Sequence, residues 1–286
     1  MSNHHHNALI VEGGAMRSVF SAGLLDGFLK QQFNPFDFFI GVSAGASNLI
    51  TYLAGTPGKS LQLYRDFASS KECINYLRFT RGGHLLDLDW LADIFFEPSR
   101  IDLNSVYQQT KPLYICITEV SNGKPVYIET TSHNLKSVVL ATTALPVFYR
   151  GFPLVNNKPM TDGGIADGIP VAEAIRMGAK NIMVVRSRHQ DYMKKDSLGH
   201  KLIRWHMKSN TALTATMRNR VNIYKNSIAL IRKPPAGVKI IEICSPDNFA
   251  MGRFNRNPNH LMRGYHAGLD TTTNAIAQWI SLSNKH

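Results

Sequence analysis

Apolar positions along the chain follow two rhythms. Four in succession, Ala8-Leu9-Ile10-Val11, predict a strand covered on both faces. A glycine-containing turn follows, Glu12-Gly13-Gly14-Ala15-Met16-Arg17. Beyond it Phe20, Leu24 and Phe28 recur at every fourth position, which predicts a helix over 19–30. A second apolar run, 36–42, ends in Gly41-Val42-Ser43-Ala44-Gly45, and 46–50 opens another helix. This strand–turn–helix alternation builds a parallel sheet with helices packed on its faces.

The rest of the chain continues the pattern. Helices are predicted over 61–70 and 87–96, on either side of Arg81-Gly82-Gly83. Strands over 113–118 and 125–129 turn at Asn122-Gly123. A helix over 135–144 stops before Pro146, and a short strand leads into Asp162-Gly163-Gly164. Pro170 opens a helix that Gly178 closes. Strands over 181–185 and 238–243 flank a basic helical segment, 186–239. There Leu213, Met217, Val221, Tyr224, Ile228 and Ile231 form an apolar stripe, with Arg218, Arg220, Lys225 and Arg232 mainly off it. A final helix is expected over 259–283. The expected fold is a three-layer α/β/α domain with a central, mainly parallel sheet, spanning 1–286 as one unit with its core motifs in 8–178.

Composition narrows the class. The chain has 286 residues, 44% hydrophobic and 18% charged, which suits one folded domain with a full core and excludes a disordered chain. No apolar stretch approaches the roughly 18–20 residues of a membrane-spanning helix. Residues 1–7 carry no apolar signal core. Cys73, Cys116 and Cys244 lie far apart with no CxxC pair, which argues against a disulfide framework or zinc site and suits a reducing cytoplasm. The net charge of +12 is uneven: 186–239 holds thirteen Lys/Arg against Asp191 and Asp196. Such a surface attracts anionic lipid headgroups or nucleic acid, unless it is simply a solvated helix face.

The candidate chemistry centres on Ser43. A serine between strand and helix is held in a strained backbone, and its flanking glycines let the two elements close on it. The Ala44 N–H and the positive helix end would lie where a developing oxyanion needs donors. The glycine turn can add the N–H groups of Gly13, Gly14 and Ala15 if the first two strands are neighbours, because both turns then share one sheet edge. This turn lacks GxGxxG and the Walker GK[ST], so a nucleotide loop is the weaker reading. The pattern points to a serine hydrolase; its plain alternative is a turn serine capping a helix.

A serine hydroxyl needs a base. Among His84, His133, His189, His260 and His266, the last, in Arg263-Gly264-Tyr265-His266-Ala267-Gly268, is the best candidate. Only one β-α unit precedes Ser43, however, whereas an α/β-hydrolase places several strands before its nucleophile. The other route is a carboxylate. Asp162 stands in a glycine loop that can approach another backbone, and a partly dry pocket would raise its basicity. Asp167, before Gly168, is a rival that reads as a tight turn.

Together these segments resemble the patatin-like phospholipase family. Gly13-Gly14-Ala15-Met16-Arg17 resembles its oxyanion turn, and Gly41-Val42-Ser43-Ala44-Gly45 its nucleophile elbow. Ala141-Thr142-Thr143-Ala144-Leu145-Pro146-Val147-Phe148 resembles its alanine- and proline-containing block, and Asp162-Gly163-Gly164 its DG[GA] motif. The resemblance implies a Ser43–Asp162 dyad, an oxyanion hole at Gly13, Gly14, Ala15 and Ala44, and no metal or cofactor. It implies a lipid or lysophospholipid substrate, with the basic segment 186–239 against an anionic membrane surface. Arg17 is either structural or anion-steering. Two departures stand out: Ala15 replaces a third glycine, and Ser18 replaces the glycine after the arginine. A left-handed residue at position 15 would be strained by about 1–2 kcal/mol. Two rival functions are an esterase of soluble acyl esters and an inactive scaffold that binds lipid or, less favoured, nucleic acid. Oligomeric state has no signature in the sequence.

Overall fold

A computed structural model describes residues 6–194, 204, 207–247, 249 and 251–283. The predicted basic segment falls partly outside these, at 195–203, 205 and 206.

Eight strands form one sheet: β1 (Asn7–Val11), β2 (Phe38–Val42), β3 (Leu113–Glu119), β4 (Pro125–Glu129), β5 (Leu154–Val155), β6 (Lys158–Asp162), β7 (Asn181–Arg186) and β8 (Lys239–Cys244). The main helices are α1 (Val19–Lys30), α2 (Ala44–Leu53), α3 (Leu88–Phe95), α4 (Leu135–Thr143), α5 (Val171–Arg176), α6 (Thr211–Arg232) and α7 (Pro258–Ser283). The hydrogen-bonded path is β5-β6-β3-β2-β1-β7-β8, with β4 also on β3. Pairs among β3, β2, β1, β7 and β8 are parallel, while β4 and β6 run antiparallel to β3.

The unbroken apolar character of β1 has its reason in the layers. Leu9 and Val11 pack with Phe20, Leu24 and Phe28 of α1 and Trp279 of α7. Ala8 and Ile10 point the opposite way, against Val171 and Ala174 of α5 and Tyr224, Ile228 and Ile231 of α6. Burying each of the larger side chains stabilises the fold by roughly 1.5–3 kcal/mol. The three-layer α/β/α architecture with a mainly parallel sheet is therefore as expected. Asp26 of α1 is buried and accepts hydrogen bonds from Tyr265 Oη of α7 (2.6 Å) and Gly58 N (2.7 Å).

Register explains how distant segments meet. β4 occupies one edge of β3 along 114–118, so β2 and β6 share the other edge. β2 ends with Val42 opposite Cys116, and β6 places Asp162 opposite the next residue, Ile117. The aspartate thus stands where β2 would have continued, beside Ser43.

Three expectations need correction. The segment 186–239 is helical only in part: its described residues include the end of β7, the long helix α6 and the start of β8. Within α6 Arg220 lies with the apolar stripe, buried beside Met217 and Tyr224, because its guanidinium turns toward the sheet edge. The predicted 61–70 helix is split into Lys59–Gln62 and a wider turn, Leu63–Ala68, from which buried Tyr64 donates to Asn48 Oδ1 at 3.1 Å.

Candidate active site

Ser43 occupies the junction of β2 and α2 with φ +52° and ψ −132°. A non-glycine residue in this region costs of order 1–3 kcal/mol and persists only when its surroundings hold it. Here they do so through Thr142 of α4. Ser43 N donates to Thr142 Oγ1 at 2.8 Å, and the same hydroxyl donates to Cys116 O at 2.6 Å. Ala46 N closes the turn on Ser43 O at 2.9 Å. The elbow and the first glycine turn interlock. A Cβ at Gly13 would stand 2.6 Å from Val42 O, and one at Gly45 would overlap Val11 O. Neither site tolerates a side chain without moving backbone.

Ser43 Oγ donates to Asp162 Oδ2 at 3.2 Å. Asp162 is itself fixed on three sides. Its N–H donates to Ala144 O (3.1 Å), its carbonyl accepts from Thr118 Oγ1 (2.8 Å), and its Oδ1 accepts from Gly164 N (2.7 Å). The last bond is an Asx-type turn, so the carboxylate both closes its own loop and meets the serine. Burial pushes its pKa above the ordinary carboxylate value, against the pull of Arg220, the Gly164 N–H, Arg253 and Ser43.

Gly13, Gly14, Ala15, Arg17, Ser43 and Asp162 line one cavity of about 90 Å³, room for several waters or a small polar group. Ala15 has φ +51°, the left-handed conformation that its substitution for glycine makes costly. Ala44 opens α2 directly after Ser43, at the positive end of that helix. Glu12 faces the same cavity, and its Oε2 accepts from Ser187 N at 2.9 Å. Leu86, Leu145 and Phe254 add apolar lining.

Among the described residues no histidine lines this cavity. His266 is exposed on α7 against Tyr265, and His84 stacks on Tyr149 while accepting from Arg150 N. His260 pairs with Asn255, His189 lies 3.8 Å from Asp247, and His133 is exposed. Asp167 is the turn residue its composition suggested. It accepts from Ile169 N (3.2 Å) and Tyr127 Oη (2.7 Å), and burial pushes its pKa up to about 6.

Sequence reasoning missed two groups. One is Thr142, whose hydroxyl holds the elbow; the threonine pair in the alanine-rich block was its signal. The other is the set of cations facing the cavity from the C-terminal half: Arg188, Lys194, Arg220 and Arg253. The basic excess of 186–239 signalled three of them, but Arg253 lies beyond that segment without any pattern.

A serine elbow facing a carboxylate, beside a glycine turn on an open α/β sheet, defines a class of protein equipped for acyl transfer. Sequence comparison gives the family. The model for patatin-like phospholipase matches residues 9–175, and the chain belongs to this family, whose name points to hydrolysis of lipid esters. A second model, a domain of unknown function (DUF6363), matches residues 210–284. The chain is similar to the uncharacterized protein YjjU of Escherichia coli K12, at 34% identity over 243 residues, which is 84% of this chain and 68% of that protein. Its fold is similar to that of VipD from Legionella pneumophila, with a TM-score of 0.54 at 14% identity, over 96% of this chain and 67% of that one.

Proposed function

We propose that the chain is a lipid acyl hydrolase working through a Ser43–Asp162 dyad without histidine. The reading rests on one observation: the hydroxyl of a strained elbow serine donates to a buried carboxylate whose basicity burial has raised. Asp162 takes the hydroxyl proton as Ser43 attacks the ester carbonyl. The N–H groups of Gly13, Gly14, Ala15 and Ala44 stabilise the tetrahedral oxyanion. Asp162 then returns the proton to the leaving alcohol, and water deacylates the serine ester by the reverse route. No step requires a metal or cofactor.

Phospholipids or lysophospholipids are the proposed substrates. Access to lipid is peripheral in this reading, through Arg218, Lys225 and Arg232, which are exposed on α6. The three unpaired thiols favour a reducing compartment. We treat 1–286 as one domain, because β8 extends the shared sheet and α7 packs along α1.

Fluorophosphonate labelling with the adduct mapped by mass spectrometry tests the nucleophile. Labelling at Ser43 is expected, and its absence in folded protein would remove the proposal. Ser43→Ala and Asp162→Asn should each lower ester hydrolysis by roughly 10³–10⁶. Hydrolysis of phospholipid vesicles in preference to short monomeric esters separates a lipase from an esterase of soluble substrates.

A further inference from the structure

Five cationic side chains converge on the cavity beside Ser43: Arg17, Arg188, Lys194, Arg220 and Arg253. Glu12 and Asp162 are the carboxylates that face them. Asp162 is balanced by Arg220, whose Nε is anchored on Gly164 O at 2.6 Å. Glu12 is held by the Ser187 N–H and hydroxyl and can offset one more charge. Two or more positive charges are left facing the cavity.

Arg17 sharpens the point. Its side chain is only 7% exposed, lines the cavity, and has an Nε with no hydrogen-bond partner among the described residues. A buried guanidinium nitrogen left unsatisfied is costly, and such groups are normally paired. Burial, with Arg188 and Arg253 close by, lowers the Arg17 pKa to about 9, and burial, with Arg220 close by, lowers that of Lys194. Such an arrangement is unfavourable until an anion enters it. Arg188 lies over the Tyr192 ring at 4.2 Å and Lys194 over Tyr224 at 4.6 Å, so both are packed against rings and not spread in solvent.

The geometry points to a subsite for a phosphate monoester, held by Arg17, Arg188 and Arg253 next to the scissile ester. A phosphate monoester carries about −1.5 to −2 charges and three acceptor oxygens, which matches the surplus and the guanidinium donors. A carboxylate would neutralise one charge. A phosphocholine diester would carry one negative charge and bring an ammonium against the arginines. The inference rests on Ser43 being the nucleophile, and it narrows the substrate to monoacyl or diacyl glycerol phosphates with a terminal phosphate.

The test uses the full chain and three esters with the same acyl group: a monoacylglycerol phosphate, a monoacylglycerophosphocholine and a monoacylglycerol. The phosphate monoester should be preferred over each of the others by about tenfold to a hundredfold in kcat/KM, carried mainly by KM. Inorganic phosphate should raise Tm and compete with the phosphate ester. Arg188→Gln and Arg253→Gln should each reduce the preference about tenfold, whereas Arg253→Lys should keep part of it. Arg17→Lys serves where Arg17→Gln does not fold. Equal kcat/KM for the three esters overturns the subsite even if Ser43 is labelled and active. Stabilisation by inorganic phosphate without preference for the phosphate ester also overturns it, since the cavity would then take a free anion and not a headgroup. Phosphate binding with no hydrolysis of any ester sinks the nucleophile assignment instead.

Discussion

Replacing Thr142 by valine removes one hydroxyl and strips two buried backbone groups of their partner. Ser43 N–H loses its acceptor at 2.8 Å, and Cys116 C=O loses its donor at 2.6 Å. The substitution keeps shape, so no cavity forms, and the cost is that of the orphaned polar groups. Each is worth about 1–3 kcal/mol, giving a loss of roughly 2–6 kcal/mol for the pair. In a chain of this size one kcal/mol moves Tm by about 2 °C, so a fall of about 4–12 °C is expected. The elbow would also relax from its strained φ, which displaces Ser43 Oγ from Asp162 Oδ2. A misplacement of about 1 Å can cost about 100-fold in turnover. Thermal melts and the rate of fluorophosphonate labelling read the two effects separately. Thr142→Ser keeps the hydroxyl and should restore most of both. If Thr142→Val melts within about 1 °C of wild type and labels at the same rate, the threonine is not what holds the elbow.

Ala15→Gly should relieve up to about 1–2 kcal/mol of left-handed strain, less about 0.5–1 kcal/mol for the added freedom of the unfolded chain. A small rise in Tm is therefore expected, and a clear fall would show that the φ of +51° is not strained. Asp162 has its pKa raised by burial, so the acid limb of kcat/KM should lie above the ordinary carboxylate range. The same shift makes its stabilising share complete below its unfolded pKa and lost as pH rises through the folded one. Asp162→Asn should thus gain Tm relative to wild type as pH increases, while activity disappears. Asp167, raised to about 6, follows the same sign. The Tm difference between Asp167→Asn and wild type should move in favour of the variant between about pH 4 and 6, and a flat difference would contradict the shift.

Much of the fold was legible because its signals are local. The strand ending at Val42, the helix expected from Ala46 (it opens at Ala44) and the turn at Asn122-Gly123 each follow from neighbouring residues. The Ser43–Asp162 pairing was suggested by motif order, from a carboxylate that also stands in a glycine loop. One of its carboxylate oxygens closes that loop and the other meets the serine. The basic segment was legible only as charge. Whether an arginine on an amphipathic helix faces solvent or the sheet depends on what the sheet edge offers, and Gly164 O offers Arg220 an acceptor.

The chain by itself determined its alternating strands and helices, its glycine turn and its strained serine, because steric and periodic rules act over a few residues. Only the tertiary structure decided that β6 continues the edge that β2 leaves, which brings Asp162 to Ser43 across 119 positions. It also decided that Arg17, from the first turn, shares one cavity with Arg188 and Arg253 from the far end of the chain. Convergence of like charges has no local signature: it is imposed by the packing of the sheet and its helices, whose burial outweighs the repulsion.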